Sequence, residues 1–343
     1  MEFVVLITVL MLRALLSLMP EKCHDHWFFS LKDRAVTLFK PKARHLYDPE
    51  SEEPGSVTTA ANQPNTAPSN TAPSNTTPSN TTLPRWFAGT GVFFVSVILP
   101  VVGLSIVLAV LEQFIWGFPA FVLSILVLLY SLGRKDSYHW FTRFQIAWRQ
   151  KDLQGAYQYA SELLPGENIK DEKQLYQRVF SRLINMRFQD FFLITFWFMW
   201  LGAEGALLAR LMILFCDKSP IGVTAEKTSA ISASRIRNVQ YLFEWLPAKL
   251  MGLSFMLTGH FVYCSHQWIS SLLNKKHSHE MLLTHFALGA LGEKVEGCDS
   301  EPFPSAEDST HKDEQLQELE ALLRRSSVLW VIAIAVTVVL MEL

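Results

Sequence analysis

The stretch MRFQDFFLITFWFMWLGAEGALLARLMIL, at Met186–Leu214, decides the fold of this chain. It is long enough to cross a bilayer, because about 20 apolar residues rising ~1.5 Å each cover a hydrocarbon core of ~30 Å. The stretch also carries Asp190, Glu204 and Arg210. Ionisable groups at that depth are costly and usually face a polar protein interior. The sequence therefore predicts an integral membrane protein with polar groups inside it.

Composition supports a membrane protein and argues against a protein that binds nucleic acid. Of all residues 50% are hydrophobic and 18% are charged, and the mean hydropathy is +0.19. The formal net charge of -2 leaves no global basic surface for nucleic acid. The 4 cysteines show no paired pattern, so we predict no disulfide framework.

Further apolar runs are candidate membrane spans. They are Met1–Met19, Gly91–Leu111, Ile115–Leu132, Tyr241–Tyr263 and Ser327–Leu340. Pro100 predicts a kink in its run and Pro247 weakens the run that contains it, because proline removes a helix hydrogen bond. We predict an all-α fold, a multi-pass integral membrane helical bundle of about five or six spans with cytoplasmic amphipathic helices.

Three other segments have apolar residues at helical spacing. They are Arg134–Lys151, Asp171–Ile184 and His277–Leu291. The first is also basic and follows a span, which is compatible with a helix in the bilayer interface. A helix that packs its apolar face on the protein's own core explains the same pattern, and the sequence does not choose between the two.

The distribution of charge and of low-complexity sequence divides the chain. Tandem TAPSN-type repeats at Thr66–Asn80 predict disorder, because such residues cannot bury enough apolar surface to offset ordering entropy. The predicted parts are a first transmembrane helix (1–19), a basic cytoplasmic loop (20–46), a disordered insertion (47–88), a transmembrane hairpin (89–132), cytoplasmic amphipathic helices (133–188), two transmembrane helices with their connection (189–264), cytoplasmic helices with an acidic linker (265–326) and a C-terminal transmembrane helix (327–343).

The positive-inside rule assigns sides to these parts. Loops 20–90, 133–188 and 265–326 hold most of the lysines and arginines, so we expect them in the cytoplasm and both termini outside. If Tyr241–Tyr263 does not cross, the C-terminus moves inside.

No motif of a known catalytic chemistry is present. The sequence has neither a Walker-type glycine loop nor a GxSxG elbow, so we assign no catalytic residue and no cofactor. Cys23-His24-Asp25-His26 and the group Cys264, His266, His277 and His279 lack the spacing of a tetrahedral zinc site, and we predict no metal. Glycines inside the spans, Gly202, Gly205, Gly252 and Gly259, favour close helix packing.

The charged side chains in or beside the spans are the candidate ligand-binding residues. They are Arg13, Arg187, Glu204, Arg210, Glu244, Lys249 and His260. Cationic groups in a protein-lined cavity suit a phosphate or carboxylate ligand. The alternative is mutual pairing, with Glu244 against Lys249 or against an arginine of a neighbouring helix, which would fix helix register.

Two motifs resemble one membrane-protein family. Glu244–His260 reads E-W-L-P-A-K-L-x-G-L…L-x-G-H and Arg187–Leu207 reads R-F…F-W…L-G-x-x-G-A-L, and both are similar to segments of the AmpE family. Gly133–Leu164, with WRQKD and ASELL, resembles the region after that family's membrane hairpin. The resemblance implies a bacterial inner-membrane protein linked to β-lactamase induction, encoded beside the amidase that recycles cell-wall muropeptides. It also implies a distant relation to the cobalamin-pathway membrane enzymes of the CobD/CbiB type.

The function predicted from the residues and this resemblance is that of an inner-membrane regulator or sensor. Its partners would be the lipid bilayer, an anionic small molecule such as a muropeptide or a nucleotide, and a protein partner, without nucleic acid. One alternative is an amide-forming synthase of the CobD/CbiB type. Those synthases carry an acidic-and-amide cluster where this chain reads INMRFQD at Ile184–Asp190. Another alternative is a transporter of a cell-wall metabolite, with broken helices at Pro100 and Pro247.

Overall fold

A computed structural model describes residues 2–15, 25–39, 91–113, 117–132, 136–164, 169, 171–216, 230–273, 278–293 and 309–342. The described part is all-helical, as predicted, and contains no strand. The predicted insertion at 47–88 and its repeats lie outside the described residues. The helices are α1 (Glu2–Leu15), α2 (His26–Phe39), α3 (Gly91–Glu112), α4 (Phe118–Ser131), α5 (Asp136–Arg149), α6 (Leu153–Leu163), α7 (Glu172–Arg187), α8 (Ile194–Cys216), α9 (Ala230–Thr258), α10 (Phe261–Leu273), α11 (His279–Ala290) and α12 (Ser309–Glu342).

Two helical stretches are long and apolar enough to cross a membrane. They are α3 and the run Glu172–Cys216, which joins α7 to α8. Helix α4 is apolar but shorter. Much of the apolar surface of α3 is exposed, including Leu99, Val102 and Ile106. An exposed apolar face of this size on a helix suits lipid as the solvent.

The deciding stretch Met186–Leu214 lies within one of these candidate spans, but its helix is broken inside the stretch. A π-helical turn at Phe188–Leu193 leads into α8, and Gly202 then leaves helical geometry with φ 66° and ψ -150°. Only glycine adopts that conformation readily. The chain bends so sharply there that a side chain at Gly205 would collide with the carbonyl of Trp197. Gly202 therefore allows a sharp backbone bend, whereas the sequence predicts for this glycine a role in close helix packing.

The predicted span Tyr241–Tyr263 also differs from the structure. Helix α9 accommodates Pro247 but ends at Thr258, and the chain reverses at Gly259 and His260. The indole Nε1 of Trp268 in α10 donates to the carbonyl of Lys249 at 3.0 Å, so α10 returns antiparallel along α9. The amide of His260 donates to the carbonyl of Ala290 at 2.8 Å, which places the end of α11 beside the end of α9.

Helix α11 is buried between its neighbours, which include α9 and α10, although the sequence predicts an amphipathic cytoplasmic helix there. Every residue from Leu282 to Ala290 is buried. Close contact is possible because Gly252 of α9 faces the ring of Phe286, and Gly259 faces the backbone of Ala290. A helix that is buried on all sides forms part of the core.

For Arg134–Lys151 the sequence allows either a helix in the bilayer interface or a helix packed on the protein's own core. Phe141, Phe144 and Trp148 of α5 are buried, and the Trp148 ring lies 5.8 Å from that of Tyr176 in α7. Helix α5 therefore packs on the protein's own core. Helix α12 runs without interruption from the end of the part predicted as cytoplasmic (265–326) through the C-terminal apolar run. Tyr176 of α7 donates to Gln315 of α12 at 2.9 Å, which joins the two helices.

Candidate functional site

A cluster of buried ionisable side chains lies where the start of α11 meets α9. We call Tyr241, Glu244, Lys249 and His279 the α9–α11 cluster. Glu244 is 7% exposed, Lys249 5% and His279 7%. Burying such groups is costly unless they are hydrogen-bonded, paired or used by a ligand. Their joint burial makes this cluster the first candidate site.

His279 is held by Tyr241 in two ways. Its ring stacks on the tyrosine ring with centroids 4.3 Å apart, and its Nε2 lies 2.8 Å from the Tyr241 carbonyl oxygen. Because a carbonyl only accepts, Nε2 carries the proton and donates. The other nitrogen, Nδ1, is buried and has no hydrogen-bond partner within the described ranges. In the neutral ring this nitrogen is a hydrogen-bond acceptor, and its acceptor capacity is unsatisfied.

Glu244 and Lys249 lie on the neighbouring turns of α9. The Glu244 carboxylate accepts a hydrogen bond of 3.0 Å from the amide of Gln240, one turn earlier. The Lys249 ammonium lies 5.7 Å from the centre of the Phe286 ring, within cation–π range. The predicted alternative, a pair between Glu244 and Lys249, is absent from the salt bridges formed among the described residues.

The cluster holds a buried cation, Lys249, and a buried acceptor nitrogen, Nδ1 of His279. A carboxylate or phosphate fits the Lys249 ammonium. A hydroxyl or amide donor on the same molecule fits Nδ1 of His279. The arrangement is therefore able to hold a small polar anion. Among the described residues no three His, Cys, Asp or Glu side chains are grouped as metal ligands, while Cys23 and His24 lie outside them.

Arg210 has a different environment from the one predicted. Its Nη2 forms a salt bridge of 2.8 Å with Oδ2 of Asp25, and the arginine is only 1% exposed. Tyr130 of α4 donates to the other oxygen of Asp25 at 2.8 Å. Arg210 thus joins three helices through an ion pair and serves the fold. The sequence reading considered Asp25 only as a metal ligand and missed this partner.

The remaining candidates are not brought to the cluster. Arg187 is half-buried at the end of α7, and Glu204 is half-buried just after the break at Gly202. His260 is exposed at the reversal between α9 and α10, with its ring against Gly292. Arg13 lies in α1, and its side chain lies outside the described residues. Of the predicted set, Glu244 and Lys249 are buried on α9, and the fold adds Tyr241 and His279, which stack on each other.

The fold and site define a class: an all-helical protein with membrane-length apolar helices and a buried ionisable cluster. The model of one protein family, described as "Regulatory signalling modulator protein AmpE", matches residues 86–337. The chain therefore belongs to the AmpE family, as its motifs suggest. No curated protein and no solved structure matches the chain.

Proposed function

We propose that this protein is a multi-pass inner-membrane regulator that binds an anionic metabolite at the α9–α11 cluster and acts in β-lactamase induction or peptidoglycan-recycling signalling. The family supplies the regulatory role. The observation that carries the binding site is the joint burial of Lys249 and His279, with an unmet acceptor on the histidine.

Membrane embedding is supported by the outer face of α9. Val239, Leu242, Leu246 and Leu257 are exposed along this helix and are spaced for one face. The stripe is about 27 Å long at a rise of ~1.5 Å per residue, close to the thickness of a hydrocarbon core. Helix α12 also exposes apolar residues, such as Ile332 and Val336.

The side chains of the cluster indicate which functional groups the ligand carries. A carboxylate or phosphate matches the charge of the Lys249 ammonium, and a hydroxyl or amide group would donate to Nδ1 of His279. Muropeptides carry carboxylates, hydroxyls and amides, and nucleotides carry phosphates and hydroxyls.

Mass spectrometry of small molecules that co-purify with the protein tests this proposal. We expect an anionic metabolite from wild-type protein in mild detergent, and its loss from Lys249→Met. The matched control is Arg149→Gln, which removes a cation from an exposed ion pair with Asp313. Retention of the same metabolite by Lys249→Met would contradict the site, and addition of a muropeptide or nucleotide to ligand-free protein checks weak binding by a thermal shift.

Transport of a cell-wall metabolite is the second candidate function. It is favoured by the helix break at Gly202, since broken helices next to buried charges are typical of transporters. Uptake of labelled muropeptide into vesicles that contain the purified protein separates the two functions. An amide-forming synthase has no particular contact in the described residues that favours it.

A further inference from the structure

Helix α2 has one face that is fixed to the bundle. Phe28 and Ala35 of this face are buried. Lys32 donates to the backbone carbonyl oxygen of Phe215 at 3.3 Å, and its ammonium lies 4.8 Å from the centre of the Phe215 ring. The preceding residue, Asp25, holds the buried Arg210. The segment predicted as a basic cytoplasmic loop therefore contains a docked helix.

The partners of α2 lie at the ends of apolar helices. Phe215 is in the last turn of α8, and Tyr130 is in the last turn of α4. The indole of Trp27 donates to the Tyr130 hydroxyl at 3.0 Å. Phe93, in the first turn of α3, has its ring 5.3 Å from that of Phe215. Because three apolar helices begin or end at this level, α2 lies where the apolar part of the bundle stops.

The outward side of α2 has an apolar strip and a polar strip. Trp27, Leu31, Arg34 and Leu38 follow one another at helical spacing, with Trp27 43% and Leu38 77% exposed. The neighbouring strip, with His26, Asp33 and Thr37, is exposed and polar. A helix with an inner face, an apolar strip and a polar strip meets three different environments.

We propose that α2 lies along the surface of the phospholipid bilayer, with its apolar strip in the boundary between headgroups and acyl chains. Tryptophan is favoured at that depth because its ring is apolar and its N–H is polar. Arg34, within the strip, reaches the lipid phosphates, while Asp33 and Thr37 face water. The start of α3, which packs against α2, also exposes an apolar ring, that of Phe94.

Site-directed spin labels on α2 measure whether each strip faces lipid or water. In a variant whose native cysteines are replaced, Leu38→Cys and Asp33→Cys each carry one label, and the protein is placed in nanodiscs of phosphatidylethanolamine and phosphatidylglycerol. We expect the label at position 38 to collide more with oxygen, which concentrates in lipid, and the label at 33 to collide more with a water-soluble nickel chelate. High nickel access at both positions would overturn the proposal, because the strip would then face water. Low access to both reagents at position 38 would overturn it as well, because protein would then cover the strip.

A second measurement keeps the native cysteines. Tryptophan fluorescence is recorded in nanodiscs that contain lipids brominated near the headgroup. Quenching should be smaller in Trp27→Phe than in the wild type, since one quenched indole is lost. Equal fractional quenching in both proteins, with an unchanged thermal transition, would place Trp27 away from the lipid and contradict the proposal. Neither experiment depends on a metabolite, so its outcome is independent of the proposed regulatory function.

Discussion

Arg210 shows how a charge within an apolar helix is satisfied by the protein itself. Its salt bridge with Asp25 is completed by Tyr130, which donates to the same carboxylate. A buried pair of this kind contributes little net stability, because desolvation offsets the attraction between the charges. Removal of one partner has a much larger effect, since the other charge is then left buried and uncompensated.

We therefore predict that Arg210→Met destabilises the protein by about 3–5 kcal/mol. The double variant Arg210→Met, Asp25→Asn should recover most of that loss, because no buried charge remains. Thermal unfolding in detergent, followed by tryptophan fluorescence, gives the four corners of this cycle. Additive losses in the double variant would show that the two side chains do not interact energetically.

Gly202 carries the sharp bend of α8, and its backbone supports a second prediction. A φ of 66° with ψ -150° is strained for any residue with a Cβ, so Gly202→Ala should cost about 1–3 kcal/mol. The control is Gly103→Ala in α3, where an added Cβ meets no atom within 4 Å. That change should be neutral or slightly stabilising, because alanine favours helix. Equal stability of both variants would mean that the bend at Gly202 does not persist in the protein.

At the scale of elements, the association of α9 with α11 depends on glycines that let the two helices approach. Gly259→Ala would place a methyl group against the Ala290 backbone, which cannot move aside as a side chain can. We expect a loss of about 1–3 kcal/mol from overpacking. Hydrogen exchange of the α11 amides should also increase, and should do so more than that of the α5 amides. Uniform exchange across the molecule would contradict a local effect on this contact.

Across the whole molecule, the sequence predicts helix content and motifs well but cannot place three-dimensional partners. Apolar runs identify α3, α4 and the C-terminal helix, because apolar length is a property of the chain alone. The break at Gly202 was missed, since glycine within an apolar run also occurs in straight helices. His279 was missed as a site residue because its partner Tyr241 is 38 positions away and only the reversal at Gly259 brings them together.

The role of the α9–α11 cluster in signalling is tested on the whole protein in cells. Lys249→Met keeps an unbranched apolar chain against Phe286 and removes the charge, so the packing of α9 on α11 should survive. Under the proposed function, we predict that this variant loses any effect of the protein on β-lactamase induction in cells while its amount in the membrane fraction stays at the wild-type level. Arg149→Gln, in the exposed pair with Asp313, should leave both quantities unchanged. Normal induction with Lys249→Met would remove the cluster from the signalling mechanism, because a ligand anchored on that ammonium could no longer bind.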